Sequence, residues 1–255
     1  MPGRLADQPA YAGFDCPLRE RTEPVPPSPD RSAPLLESDA LAAGYGGTAV
    51  CGSLTVRLDG GECLAFIGAN GTGKSTLIRT LSGRQAPVAG SVRLNGSPVA
   101  EGSLAYRRAV AAVPDEDAFF PSLTAGEHLL MTARGHQVRD PDTAVGHELE
   151  FFALTERRHA LPDELSSGQR RRLLLASAFI RPFSLMVLDE PEQRLDQGMR
   201  GRLAERIRER VDAGATVLMA THDPGFLAAA ADRCVLVGEE TVELAPGQAA
   251  GMMSV

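Results

Sequence analysis

Gly68-Ala69-Asn70-Gly71-Thr72-Gly73-Lys74-Ser75 has the residue types and spacing of a loop that holds a polyphosphate. It fits G-x-x-x-x-G-K-[ST], with an apolar run before it and a helical pattern after it. Glycines let the backbone wrap close to phosphate oxygens, where side chains would collide. Successive N–H groups then point inward at a helix N-terminus, whose dipole favours anions. Lys74 is placed to reach the β- and γ-phosphates, and Ser75 to offer a hydroxyl to Mg²⁺.

Two further segments carry complementary chemistry. Leu185-Met-Val-Leu188-Asp189-Glu190-Pro191 ends an apolar strand in two acids. In open α/β sheets, ligands sit beyond the carboxyl ends of strands. Asp189 is therefore expected to face the Mg²⁺ near Ser75, and Glu190 to orient or deprotonate an attacking water. Thr216-Val-Leu-Met-Ala-Thr221-His222-Asp223 repeats the arrangement with an imidazole. At a neighbouring strand end, His222 can donate a hydrogen bond to the transferring phosphoryl oxygens.

The elements that must position these groups follow from periodicity. Short β-type runs are expected at Leu54–Leu58 and Cys63–Ile67, then at Ser91–Leu94 and Ala109–Val113. Leu123 to about Ile180 reads as mostly helical. Thr124 is its N-cap, and Glu127 its capping-box partner. Strand 185–188, helix 197–212, strand 216–220, helix 223–231 and a last core strand at 234–237 complete an α/β alternation. That alternation predicts a mainly parallel sheet covered by helices. Residues 1–34 are rich in Pro and charge, and are expected to be a disordered arm.

Composition narrows the classes. The chain has 255 residues, 43% hydrophobic and 23% charged, enough for a substantial core. A net charge of -7 argues against a protein that coats nucleic acid. Cys16, Cys51, Cys63 and Cys234 show no metal-site spacing and are expected to be reduced thiols. No apolar run approaches the roughly 18 residues that span a bilayer, and the N-terminus has no signal-type apolar region. The expectation is a cytoplasmic chain whose membrane role, if it has one, comes through a partner.

Leu165-Ser166-Ser167-Gly168-Gln169, shortly before the Asp189–Glu190 strand, resembles the signature motif of the ATP-binding cassette ATPases. The resemblance covers roughly Leu36 to Val237. It implies an α/β phosphate-loop domain over about 35–245. That domain would have a mainly parallel sheet core, an N-terminal antiparallel β region and an inserted helical subdomain at about 116–180. Residues 246–255 would form a short tail, with no sizeable regulatory domain after the core. Tyr45 matches the family's adenine-stacking aromatic, a flat ring offered to a base. Thr76 joins the nucleotide set, Asp196 matches the loop after the second acid, and His222 the switch histidine. The resemblance further implies ATP and Mg²⁺, and a head-to-tail pair of cassettes, either two copies or two different proteins. Each ATP would lie between Lys74 of one chain and Ser166, Ser167, Gly168 and Gln169 of the other. A separate transmembrane permease would hold the pair at the inner face of the cell membrane. The aromatic segment Phe119-Phe120 would either receive that permease or belong to the helical core.

Two segments depart from the family pattern. Asp115 stands where the family has a Gln that serves Mg²⁺. Asp still ligates the ion, but is one methylene shorter and brings negative charge toward phosphate, which implies slower or differently coupled turnover. Glu192-Gln193-Arg194 replaces small residues before Leu195-Asp196. Two other functions stay open at this level: a permease-free cassette of the cluster-assembly type, and a weakly catalytic ATP-binding regulator.

Overall fold

The computed structural model describes residues 34–113 and 118–253. The expected arm up to residue 33, Cys16 and Asp115 lie outside them. The described residues open with strand β1 (Leu36–Ala42), a hairpin of β2 (Gly44–Tyr45) and β3 (Thr48–Ala49), then β4 (Leu54–Leu58) and β5 (Cys63–Ile67). Helix α1 (Lys74–Leu81), β6 (Ala89–Leu94), β7 (Ser97–Pro98), α2 (Leu104–Ala109) and β8 (Val110–Val113) follow. A helical block comes next: α3 (Ala125–Gly135), α4 (Pro141–Phe151) and α5 (Ser167–Phe179). The chain then returns through β9 (Leu185–Asp189), α6 (Gln197–Asp212), β10 (Thr216–Ala220), α7 (Pro224–Ala230), β11 (Arg233–Val237), β12 (Thr241–Leu244) and α8 (Pro246–Met253).

The central sheet has the order β12-β11-β5-β10-β9-β8, parallel except for the edge strand β12. Its strands read as near-continuous apolar runs because both faces are covered. Alternation along β5 shows this directly. Cys63, Ala65 and Ile67 point into a core shared with the helical block, α6 and α7. Leu64 and Phe66 point into a second core with α1, β1 and β4. That second core is closed by an antiparallel sheet of order β4-β1-β6-β7. The chain is thus the expected mainly parallel α/β core, with an N-terminal antiparallel region and a block of helices between β8 and β9.

Local chemistry explains most element boundaries. Thr124 caps α3 through the expected box: its hydroxyl accepts from the Glu127 amide at 3.3 Å, and Glu127 Oε2 accepts from the Thr124 amide at 2.8 Å. Gly46 and Gly47 both hold positive φ between β2 and β3, as a two-residue type I′ loop requires. The structure also corrects some bounds. Ala109 ends α2, a helix absent from the sequence reading, and the strand begins at Val110. β11 is followed by the antiparallel β12, and residues in the expected tail form α8. Cys51, Cys63 and Cys234 are buried free thiols. Burial pushes the Cys234 thiol up to about 11, with Glu243 adding to it. Among the described residues no helix is long and apolar enough to cross a membrane.

Candidate active site

Register brings the three motifs to one edge. Ala220 of β10 pairs with Asp189 of β9 and with Phe66 of β5, so those strands end together. The loop after β5, the acids after β9 and the histidine after β10 are therefore neighbours.

The phosphate loop needs its glycines. Gly68, Gly71 and Gly73 hold φ of 143°, 81° and 98°. A Cβ on Gly68 would lie 2.5 Å from the Val237 carbonyl oxygen, so any side chain there would force β11 away. Thr72 closes the loop by donating its hydroxyl to the Ala69 carbonyl at 3.0 Å. α1 starts at Lys74 with no side-chain cap, leaving its first amides for a ligand. Lys74 Nζ arches over the loop and donates to the carbonyls of Gly68 and Ala69 at 3.0 and 2.9 Å. Burial depresses its ammonium below the usual lysine value, and the carboxylates of Glu190 and Asp189 oppose that shift.

Ser75 Oγ donates to Asp189 Oδ1 at 3.1 Å, joining two of the three expected Mg²⁺ ligands across 114 positions of sequence. The pair is all oxygen and hard, with one carboxylate. Mg²⁺ binds through one or two carboxylates plus substrate phosphates, so this donor set fits it. Among the described residues no cluster of three or more His, Cys, Asp or Glu could hold a metal ion by itself.

Glu190 has a non-glycine left-handed backbone, φ 48°. Its amide donates to the Ala220 carbonyl at 3.0 Å. The fully buried Arg171 donates to the carbonyls of Asp189 and Glu190 at 2.5 and 2.8 Å. The strained residue is thus over-determined by α5 on one side and β10 on the other. Its carboxylate meets His222 Nε2 at 3.0 Å and accepts from the Gln193 side-chain amide. A cavity of about 540 Å³ opens here, lined by Asn70, Glu190, Glu192, Gln193, Arg200, His222, Asp223 and Pro224.

The remaining expected residues fall in two groups. Tyr45, 56% exposed, lies beside the start of α1 with its hydroxyl 3.4 Å from Thr76 Oγ1. That hydrogen bond lowers the phenol's pKa. Ser166 is the N-cap of α5. It accepts from the Gln169 amide at 3.2 Å, and Gln169 Oε1 accepts back from the Ser166 amide at 2.9 Å. Gly168 is small because a Cβ there would sit 2.7 Å from the Arg194 carbonyl oxygen. None of Ser166, Ser167, Gly168 and Gln169 lines the cavity at Glu190. Asp196 caps α6 through the Met199 amide at 2.9 Å and pairs with Arg172 at 2.7 Å. The Met199 amide holds its carboxyl below the usual range, helped by Arg172.

A family model described as ABC transporter matches residues 51–193, more than half of the chain, which hold the phosphate loop, the Ser166–Gln169 segment and the Asp189–Glu190 acids; the His222 segment lies beyond them. This chain belongs to that family. It is one of the family's ATP-binding cassette ATPases. The Nod factor export ATP-binding protein I of Rhizobium etli is 37% identical over 201 residues, 78% of this chain and 64% of that protein. The chain thus spans somewhat less than two thirds of that relative's length. The SkfA peptide export ATP-binding protein SkfE of Bacillus subtilis is 35% identical over 186 residues, 72% of this chain and 77% of that protein. A solved structure of the ATP binding subunit of an ABC transporter superposes with a TM-score of 0.77 at 29% identity. It covers 86% of this chain and 93% of the other.

Sequence reasoning missed Arg171 and Thr221 as members of the site. Arg171 is the middle of three consecutive arginines near the start of α5, a pattern common on solvated helix faces, whereas the fold buries it. Glu192 and Gln193 stand out in the sequence as departures from small residues, but the hydrogen bonds of Glu192 reach Thr221 and His222, some thirty residues away, and that of Gln193 reaches Glu190.

Proposed function

We infer that this cassette hydrolyses ATP at the site formed by Lys74, Ser75, Asp189, Glu190 and His222, and that the hydrolysis energises a separate membrane permease. The observation that carries the reading is the 3.0 Å contact between Glu190 and His222 at the ends of adjacent parallel strands, beside the phosphate loop.

The roles follow from position. Loop amides 68–75 cradle the β-phosphate at the N-terminus of α1, and the Lys74 ammonium leaves its two carbonyls for phosphate oxygens. Ser75 and Asp189 would hold Mg²⁺, with Asp115 as a third ligand. When bound, that ion neutralises charge on the phosphate oxygens. Glu190 orients water for in-line attack on the γ-phosphorus and takes its proton as the bond to the leaving oxygen breaks. His222 donates to the transferring phosphoryl oxygens. Tyr45 offers its exposed ring to adenine.

Ser166 to Gly168 present a capped helix N-terminus outside this chain's own cavity. They are suited to complete the nucleotide site of a second cassette, so ATP would act as interfacial glue and hydrolysis would loosen the pair. Phe119 packs on the helical core, whereas Phe120 is 58% exposed and Met131 is exposed in the same block. That apolar surface suits contact with the permease, which would hold the chain at the inner membrane face. Both named relatives are export ATP-binding proteins, which favours export as the direction.

Glu190→Gln is expected to lower kcat by about a hundredfold or more while ATP affinity changes little. The variant should also pair in the presence of ATP in size-exclusion runs, alone or with its companion. Near wild-type turnover in Glu190→Gln would remove the hydrolytic reading. A cassette that never co-purifies from membranes with a multi-span protein would remove the transport reading.

A further inference from the structure

We propose that Glu192 is a positioning residue that fixes His222 against Glu190. It leaves the strand-end loop two residues after Glu190 and is only 5% exposed. One carboxylate oxygen gathers the histidine loop: Oε1 accepts the Thr221 hydroxyl at 2.5 Å and the His222 amide at 3.1 Å. The Thr221 hydroxyl oxygen accepts in turn from the Asp223 amide at 3.1 Å. Thr221 and His222 are therefore tied directly to one acceptor, and Asp223 is tied to it through the Thr221 hydroxyl. Thr221 is also held to β5 by its amide, which donates to the Phe66 carbonyl at 3.2 Å. The histidine backbone is thus anchored from both sides, and its ring arrives 3.0 Å from Glu190 Oε1.

Stability alone is a poor reason for this carboxylate. Its second oxygen, Oε2, is buried without a hydrogen-bond partner. Taking a carboxylate out of water costs free energy that two hydrogen bonds on one oxygen only partly offset. The geometry gives another reason. A hydrogen bond from a hydroxyl to a carboxylate at 2.5 Å is short and directional, and it locks the two loops in register. Glu190 and Glu192 belong to one loop, so any shift of that loop moves the carboxylate at the attacking water and the histidine together. Gln193, the next residue, donates to Glu190 Oε2, so the same loop restrains both members of the pair.

The proposal rests on the catalytic reading of Glu190 and His222. Its test measures steady-state ATP hydrolysis, counted per nucleotide-binding site, for wild type, Glu190→Gln, Glu192→Ala, Glu192→Gln and Thr221→Val. Glu192→Ala should lower kcat by about tenfold or more with KM for ATP within about threefold. Glu192→Gln keeps a carbonyl acceptor in place and should recover most of that loss. Thr221→Val, which removes the donor and keeps the volume, should lower kcat in the same direction, and it carries the test if Glu192→Ala does not purify folded. A purely structural residue would instead lower the number of binding sites and the melting temperature, leaving kcat per site unchanged. Wild-type kcat per site in Glu192→Ala or Thr221→Val overturns the proposal, as does a Glu192→Gln loss equal to that of alanine. If Glu190→Gln hydrolyses ATP like wild type, the underlying reading fails first; if only the Glu192 variants are unaffected, the positioning role alone fails.

Discussion

Arg171 shows how one side chain can hold a reacting group it does not touch. The residue is 2% exposed, and its guanidinium donates to the carbonyls of Asp189 and Glu190. A left-handed glutamate costs of order 1–3 kcal/mol, so the surrounding bonds must impose it. Arg171→Met keeps the length of the stem but leaves two buried carbonyls without this donor. The expected destabilisation is about 2–4 kcal/mol in denaturant unfolding. ATP hydrolysis should fall further than the lost stability explains, because Glu190 can relax from its strained backbone. A variant as stable as wild type would show that those carbonyls find other partners.

Helix ends carry much of the site's precision at the scale of elements. α1 starts uncapped under the phosphate loop, while α3, α5 and α6 are capped by Thr124, Ser166 and Asp196. The contrast is physical. Free amides are useful where an anion binds, and costly where none does. Thr124→Ala should therefore lower stability by about 1 kcal/mol, read as a shift in urea midpoint with an unchanged slope. Its effect on ATP hydrolysis should be slight, since α3 sits in the helical block away from Glu190. A loss of activity without a loss of stability would mean that the cap acts on function directly.

At the scale of the whole molecule, a buried ion pair joins the helical block to α6 of the sheet domain. Arg206 of α6 meets Glu148 of α4, and its guanidinium lies 4.2 Å from the Phe151 ring centroid and 5.0 Å from that of Phe179. Burial pushes the Glu148 carboxyl up, with Arg206 opposing it, and its Oε2 is buried without a partner. Desolvation thus outweighs the attraction, so the pair specifies a seat more than it stabilises one. Arg206→Ala should cost about 3–5 kcal/mol, because it strands a buried carboxylate and uncovers aromatic rings. Replacing both partners together, Glu148→Leu with Arg206→Leu, should recover most of that loss. Thermal and denaturant unfolding of the single and double variants decides between them.

The sequence alone determined the parts whose physics is local. The phosphate loop, the apolar strands β5, β9 and β10, the helix 197–212 and the Thr124 box are contiguous patterns. Each is dictated by backbone conformation or by side-chain period over a few residues. Strand-end chemistry places these motifs at one edge, where Ser75 meets Asp189. What stayed hidden depends on partners far along the chain. α2, β12 and α8 carry weak periodicity and owe their form to packing on neighbouring elements. Arg171 and Glu192 are charged residues in polar stretches, and nothing local distinguishes them from solvated ones. Only parallel register, which sets Asp189 beside Ala220, encloses them and turns each into the acceptor or donor for a backbone up to thirty residues away. Local sequence selects conformations; burial of a particular polar group is settled when distant strands align.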